Sequence, residues 1–128
     1  MKFKINLNEG RPLYRQIIDQ IRKAIASGQL TVGNGLPSVR QLAEELVINH
    51  NTVAKAYAEL VRDGTLTSQH GRGVFVAKRR NVFSAAERKR RLASAMETFL
   101  ADIAVLDFSP EHVLSELSER MESASASE

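Results

Sequence analysis

Cysteine is absent from the 128 residues, which excludes disulfides, thiol nucleophiles and cysteine-ligated zinc or iron–sulfur centres. Tryptophan is absent as well, and aromatic residues make up only 5% of the chain, too few for an aromatic cage or a base-stacking platform. No apolar run approaches the ~18 residues of a membrane span. The opening Met1-Lys2-Phe3-Lys4-Ile5-Asn6 has no apolar block of the kind a signal peptide needs. The expectation is a cytoplasmic chain with no membrane partner. The balance of 43% hydrophobic and 26% charged residues is that of a globular protein, at the length of one domain or a small domain with an appendage.

The net charge of +3 hides a partition. Residues 1–91 carry 17 of the 18 Lys and Arg against 7 acids, while residues 92–128 carry one Arg against 8 acids. A body at +10 joined to an end at −7 points to a polyanionic partner on one side and a different contact on the other.

Phe3, Ile5 and Leu7 alternate with polar neighbours and predict a short half-buried strand. Gly10-Arg11-Pro12 breaks it, and Leu13, Ile17, Ile21 and Ile25 then repeat every four residues in a helix ending at Gly28. Gly28 to Pro37 is a turn-rich connection. Ser38-Val39-Arg40-Gln41 fits a capping box opening a second, short helix to Leu46. Asn49 caps a third, whose apolar face is Val53, Ala56, Tyr57, Leu60 and Val61 and whose end is Gly64. Leu66-Thr67-Ser68 and Val74-Phe75-Val76 then form a hairpin around the basic, glycine-bearing tip Gln69-His70-Gly71-Arg72-Gly73. Lys78-Arg79-Arg80 follows.

Ser84-Ala85-Ala86-Glu87 reads as a second capping box, starting a long helix. In it Leu92, Met96, Phe99, Ile103 and Leu106 recur at about 3.5 residues, a seam suited to packing along another helix. Ser109-Pro110-Glu111 starts a last helix with Val113, Leu117 and Met121 on one face. Residues 123–128 are Ser, Ala and Glu and are expected to fray.

Two short helices, the second followed by a basic-tipped hairpin, form the layout of a winged helix-turn-helix. The predicted fold class is α+β and mostly helical: a winged helix-turn-helix over residues 1–80, a two-helix dimerisation region over 81–122 and a frayed tail over 123–128. The major groove of B-DNA accepts one α-helix, so the reading residues belong at the exposed N-terminal end of the third helix. These are Asn49, His50, Asn51 and Thr52, with Lys55 one turn on. Ser38 and Arg40 can reach the phosphate backbone. Ser38 and Asn49 serve equally as plain helix caps. Gly71 and Gly73 let the hairpin backbone approach a sugar-phosphate ridge, with Arg72 entering the minor groove and His70 beside it.

The blocks Leu36-Pro37-Ser38-Val39-Arg40-Gln41-Leu42-Ala43, Asn51-Thr52-Val53, Ala56-Tyr57, Leu60, Asp63-Gly64 and Gly71-Arg72-Gly73-Val74-Phe75-Val76 closely resemble the GntR family of bacterial transcription regulators. The resemblance covers roughly residues 10–78. It implies that Arg40, Asn49 to Thr52 and His70 to Gly73 touch DNA; His50 stands where many members have Arg or Pro. The remaining chain is too short for a large effector-binding domain and looks like the short YtrA-like branch, dimeric regulators often linked to ABC-transporter operons.

The two C-terminal helices carry more apolar surface than a complete winged helix can cover. The surplus predicts a homodimer through Leu92, Met96, Phe99, Ile103, Leu106, Val113 and Leu117. Arg88-Lys89-Arg90-Arg91 is either a solvated helix start or a set of cations facing DNA phosphates or a partner's acids. The function expected is that of a dimeric regulator, a repressor, on an inverted-repeat double-stranded operator. The rival reading is a winged-helix module that binds an acidic protein. No enzyme activity or cofactor is expected, because no Ser–His–acid arrangement or carboxylate cluster is present. His50, His70 and His112 lack metal-ligand spacing. Whether a small effector binds is left open by the sequence.

Overall fold

The computed structural model describes residues 2–78 and 82–126. The elements run α1 (Leu13–Ala26), α2 (Val39–Leu46), α3 (His50–Arg62), β1 (Leu66–Gln69), β2 (Gly73–Val76), α4 (Ala85–Ile103) and α5 (Pro110–Ala126). Among the described residues, those of the buried core all lie within 16–76. Ile17, Ile18 and Ile21 of α1 meet Leu42 of α2, Val53, Tyr57 and Leu60 of α3, and Leu66 and Val76 of the hairpin. Three helices and the hairpin therefore close one apolar centre without help from α4 or α5. Arg79 and Arg80 of the predicted basic run lie outside the described residues.

The predicted N-terminal strand is extended but has no strand beside it. Its partners are two glutamines of α1. Gln16 receives the Asn6 N–H (2.9 Å) and donates to the Asn6 carbonyl (3.0 Å). Gln20 likewise receives the Lys4 N–H (2.8 Å) and donates to the Lys4 carbonyl. Four helical residues rise about 6 Å and two extended residues about 6.6 Å, so glutamines at i and i+4 match backbone units two apart. A side-chain amide stands in for each missing peptide partner. Phe3 and Ile5 are half-buried, but Leu7, expected to join them, is 76% exposed because the pairing ends at Asn6.

The connection before α2 is more than a loop. Gly33 N–H donates to Val76 O (2.9 Å), Val76 N–H to Asn34 O (2.9 Å) and Leu36 N–H to Val74 O (2.8 Å). This segment bridges β2 at Gly35–Phe75, leaving β1–β2 as an antiparallel pair with Leu66 opposite Val76. The hairpin is thereby anchored at its base while its tip stays free.

The capping box of α2 is complete: Gln41 N–H donates to Ser38 Oγ, and Ser38 N–H to Gln41 Oε1, each at 3.0 Å. Between α2 and α3, Val47 sits at φ 54°, ψ 52° and is 88% exposed. A β-branched residue there is strained by about 1–2 kcal/mol, with almost no burial in return. Val47→Gly is expected to stabilise the fold by about 0.5–1 kcal/mol, once the greater freedom of glycine in the unfolded chain is subtracted. A thermal melt checks it: the midpoint should rise by a few degrees.

At the start of α4 only half of the expected box forms. Ser84 Oγ accepts from Glu87 N–H (3.1 Å), while the Glu87 carboxylate turns to Arg91 (3.0 Å) and Arg90. Two guanidiniums outcompete one neutral amide for a carboxylate. The pairing also offsets part of the misfit of cations near a helix N-terminus. Arg91 lies 3.9 Å over the Phe83 ring as well. No residue of α4 is buried: Leu92 is 60% exposed and Met96 49%. The helix stops at Ile103, so Leu106, expected on the same helical seam, lies in the turn beyond it and is 54% exposed. Asp107, at φ 60°, turns the chain into α5, whose first turn is capped by Ser109 Oγ (3.1 Å from His112 N). α5 comes back beside the C-terminal end of α1. It stays helical through Ala126, so residues 123–126, expected to fray, belong to it.

Candidate nucleic-acid interface

α3 starts at His50 because Asn49 supplies what its first turn needs: Asn49 Oδ1 accepts from Asn51 N–H at 2.7 Å. Val53, Ala56, Tyr57 and Leu60 turn inward and are buried. The opposite side is left to Asn49, His50, Asn51 and Lys55, all exposed, with Thr52 half-buried. Neither the hairpin nor α2 closes over that side.

Ser38 and Arg40 are exposed at the start of α2. Their position relative to α3 is set by Tyr57, whose buried hydroxyl donates to Pro37 O at 2.7 Å. Burial pushes the Tyr57 phenol well above its ordinary value, and the charge of Glu45 acts in the same direction. The folded state thus keeps the proton that the unfolded chain releases near the ordinary phenol value. The stabilisation is complete below that pH and is lost as pH rises towards the folded value, at up to about 1.4 kcal/mol per pH unit. Tyr57→Phe is expected to cost about 1 kcal/mol near neutrality through the lost hydrogen bond. It should also remove one proton's worth of alkaline destabilisation in urea melts at about pH 8 and pH 11.

The hairpin tip carries His70, Gly71, Arg72 and Gly73, all exposed. Arg72 N–H closes the turn on Gln69 O (2.9 Å). Gly71 at φ 74° and Gly73 at φ 120° take backbone conformations that side chains disfavour, which is the physical reason for glycine at both.

Among the described residues, Arg40, Lys55 and Arg72 enter no ion pair with a carboxylate. Arg11 pairs with both Glu9 and Asp19, Arg22 with Asp63, and Arg90 and Arg91 with Glu87. Unpaired cations and small polar groups can take up an anionic, hydrogen-bonding surface. No group of His, Asp and Glu among the described residues could hold a metal ion. None of the described helices is long and apolar enough to cross a membrane.

One neighbour of this surface is not apparent from the order of residues. Tyr14, which accompanies the apolar stripe of α1, places its ring 3.9 Å from Lys55 Nζ and 5.4 Å from the Arg15 guanidinium. Tyr14 and Lys55 are 41 positions apart, which leaves no local pattern to signal the contact. Pro12, Tyr14, Asn49, Asn51, Thr52 and Lys55 line a common recess. The predicted dimer residues lie apart from all of this, on α4, on α5 and, for Leu106, in the turn between the two. Leu92, Met96 and Leu106 are exposed, and Phe99, Ile103, Val113 and Leu117 half-buried.

Residues 13–76 match the family model described as bacterial regulatory proteins, gntR family. The chain is 40% identical over 75 residues to the HTH-type transcriptional repressor YtrA of Bacillus subtilis. The match takes in 59% of this chain and 58% of that protein, so the chain spans somewhat over half of that relative's length. Among solved structures, YtrA from Sulfolobus acidocaldarius, a GntR-family transcription factor, is similar at 37% identity with a TM-score of 0.62. That match takes in 77% of this chain and 97% of that one. A transcriptional antiterminator from Listeria monocytogenes reaches a TM-score of 0.71 at 28% identity, over 93% of this chain and 89% of that one. The AraR DNA-binding domain, solved in complex with operator ORX1, is similar at 26% identity with a TM-score of 0.54, over 60% of this chain and 99% of that domain. The helix-turn-helix with its wing is the part common to the family match, and by it the chain belongs to the GntR family of bacterial regulatory proteins.

Proposed function

We propose that the protein is a sequence-specific, double-stranded-DNA-binding transcriptional regulator, a homodimeric repressor acting on an inverted-repeat operator in the cytoplasm. The observation that carries the reading is the open polar side of Asn49–Lys55, together with Arg40 at the start of α2 and Arg72 at the hairpin tip, both exposed and neither paired with a carboxylate among the described residues. Asn51 and His50 offer donors and acceptors to base edges, and Thr52 a hydroxyl and a methyl. Ser38 and Arg40 meet the phosphate backbone, and Arg72 enters the minor groove from a tip made slim by Gly71 and Gly73, with His70 alongside. The operator complex of the AraR domain and the repressor name of the Bacillus relative support the assignment. The likeness to the YtrA-like branch extends it to the operon of a transporter.

Residues 1–80 act in this proposal as the DNA-binding unit and 81–122 as the dimerisation region. α4 is about 28 Å of helix with an apolar seam and no buried residue. A helix of this length gains most of its stability from packing. Covering Leu92, Met96, Phe99, Ile103 and Leu106 contributes on the order of several kcal/mol. A second copy of the same seam supplies that cover and sets two reading heads at half-sites about one helical turn apart.

The test is a salt titration on DNA fragments enriched from the host genome by the purified chain. Affinity should fall steeply as salt rises. Arg72→Ala should weaken binding to all sequences and lower the slope of log affinity against log salt by about one. An unchanged slope counts against a wing in the groove, and the absence of any salt-dependent binding overturns the assignment.

A further inference from the structure

We propose that Tyr14 is a positioning residue for DNA recognition: its ring gathers Lys55 and Arg15 into a two-cation clamp for one backbone phosphate beside the N-terminal end of α3. The inference rests on the winged-helix reading above and adds two residues of α1 to it. Lys55 Nζ lies 3.9 Å from the ring centroid and the Arg15 guanidinium 5.4 Å from it. Both cations are exposed, and neither pairs with a carboxylate among the described residues. Two like charges drawn to one ring repel each other; the negative face of the ring offsets part of that repulsion. An anion between them relieves the remainder.

The ring itself is held. Tyr14 is half-buried and packs against the buried core, whereas long cationic side chains left alone sample many rotamers. A fixed ring limits where Lys55 and Arg15 can point before DNA arrives. That lowers the ordering cost of a phosphate contact. Asn49, Asn51 and Thr52 share a recess of about 380 Å³ with Tyr14 and Lys55, and Arg15 follows Tyr14 at its edge, so a phosphate held at the mouth of the recess fixes the register in which the α3 side chains meet the bases.

The experiment uses the full chain and a labelled duplex selected in vitro from random sequence by the wild-type protein, read by fluorescence anisotropy across salt. Lys55→Ala and Arg15→Ala are each expected to weaken binding about three- to tenfold and to lower the salt slope by about one. Tyr14→Leu, which keeps an apolar anchor but no ring, should do the same. Tyr14→Phe, which keeps the ring, should bind within about twofold of wild type, the margin of a spared contact. Adding Lys55→Ala to Tyr14→Leu should then cost less than Lys55→Ala does alone.

Wild-type binding and slope in a Tyr14→Leu chain that melts normally would overturn the clamp. So would losses from Tyr14→Leu and Lys55→Ala that simply multiply, or a Tyr14→Phe variant as weak as Tyr14→Leu. A geometric readout needs no variant to fold: the Lys55 ε-methylene protons of the free wild-type protein should be shifted upfield by the ring, and ordinary positions refute the contact. If the wild-type chain binds no duplex in a salt-dependent way, the DNA-binding reading itself falls. If it binds and only the Tyr14 variants behave as wild type, the clamp alone falls.

Discussion

A chain ending at Lys78 is expected to fold as a monomer and to bind a two-half-site duplex about 10²–10⁴-fold more weakly than the full protein. The truncation is tolerable because, among the described residues, every buried core residue lies within 16–76, and α4 contributes none. The weakening follows from lost coupling: with two heads joined, the second half-site is met at the effective concentration set by the linkage, and separate heads must each bind alone. In the full chain, Phe99→Asp should act in the same direction by placing a charge in the middle of the proposed seam. Sedimentation and anisotropy check both variants. A truncated chain that still sediments as a dimer would move the interface into the winged helix, and undiminished operator affinity would remove the need for a dimer.

Asn51→Ala should cost about 1–3 kcal/mol on the selected site and little on unrelated duplex. The structure makes this an unusually clean substitution. The cap of α3 uses the backbone N–H of Asn51 and the side chain of Asn49, so removing the Asn51 side chain leaves the cap and the fold intact. The neighbouring Asn49→Ala, by contrast, loses about 1 kcal/mol of helix stability through the cap itself, which mixes folding with binding. Binding to a set of single-base-pair variants of the site separates the roles. If Asn51→Ala blurs preference at one base pair, it reads that base. Equal loss on selected and unrelated duplex means that Asn51 only places the helix.

The elements that carry the proposed interface could be read from local pattern. The four-residue apolar repeat of α1, the capping box at Ser38, the cap at Asn49 and the change of period after Gly64 all reappear where their local chemistry puts them. The misreadings have two causes. Leu7 and the bridge at Gly35–Phe75 depend on groups brought from elsewhere in the chain, whereas Glu87 leaves its box for nearer competitors, Arg90 and Arg91 one turn along the same helix. An alternating pattern is the same whether a strand or a pair of glutamines completes it.

Helix starts, turn positions and the polar side of Asn49–Lys55 were settled by residue order alone, because caps, glycine turns and amphipathic periods act within a few residues. The tertiary fold decided that Gln16 and Gln20 hold the N-terminal segment, that Tyr57 ties α3 to Pro37, and that Tyr14 lies under Lys55. Those contacts join groups 10–41 positions apart, and at such separations only the packed core determines which side chains meet.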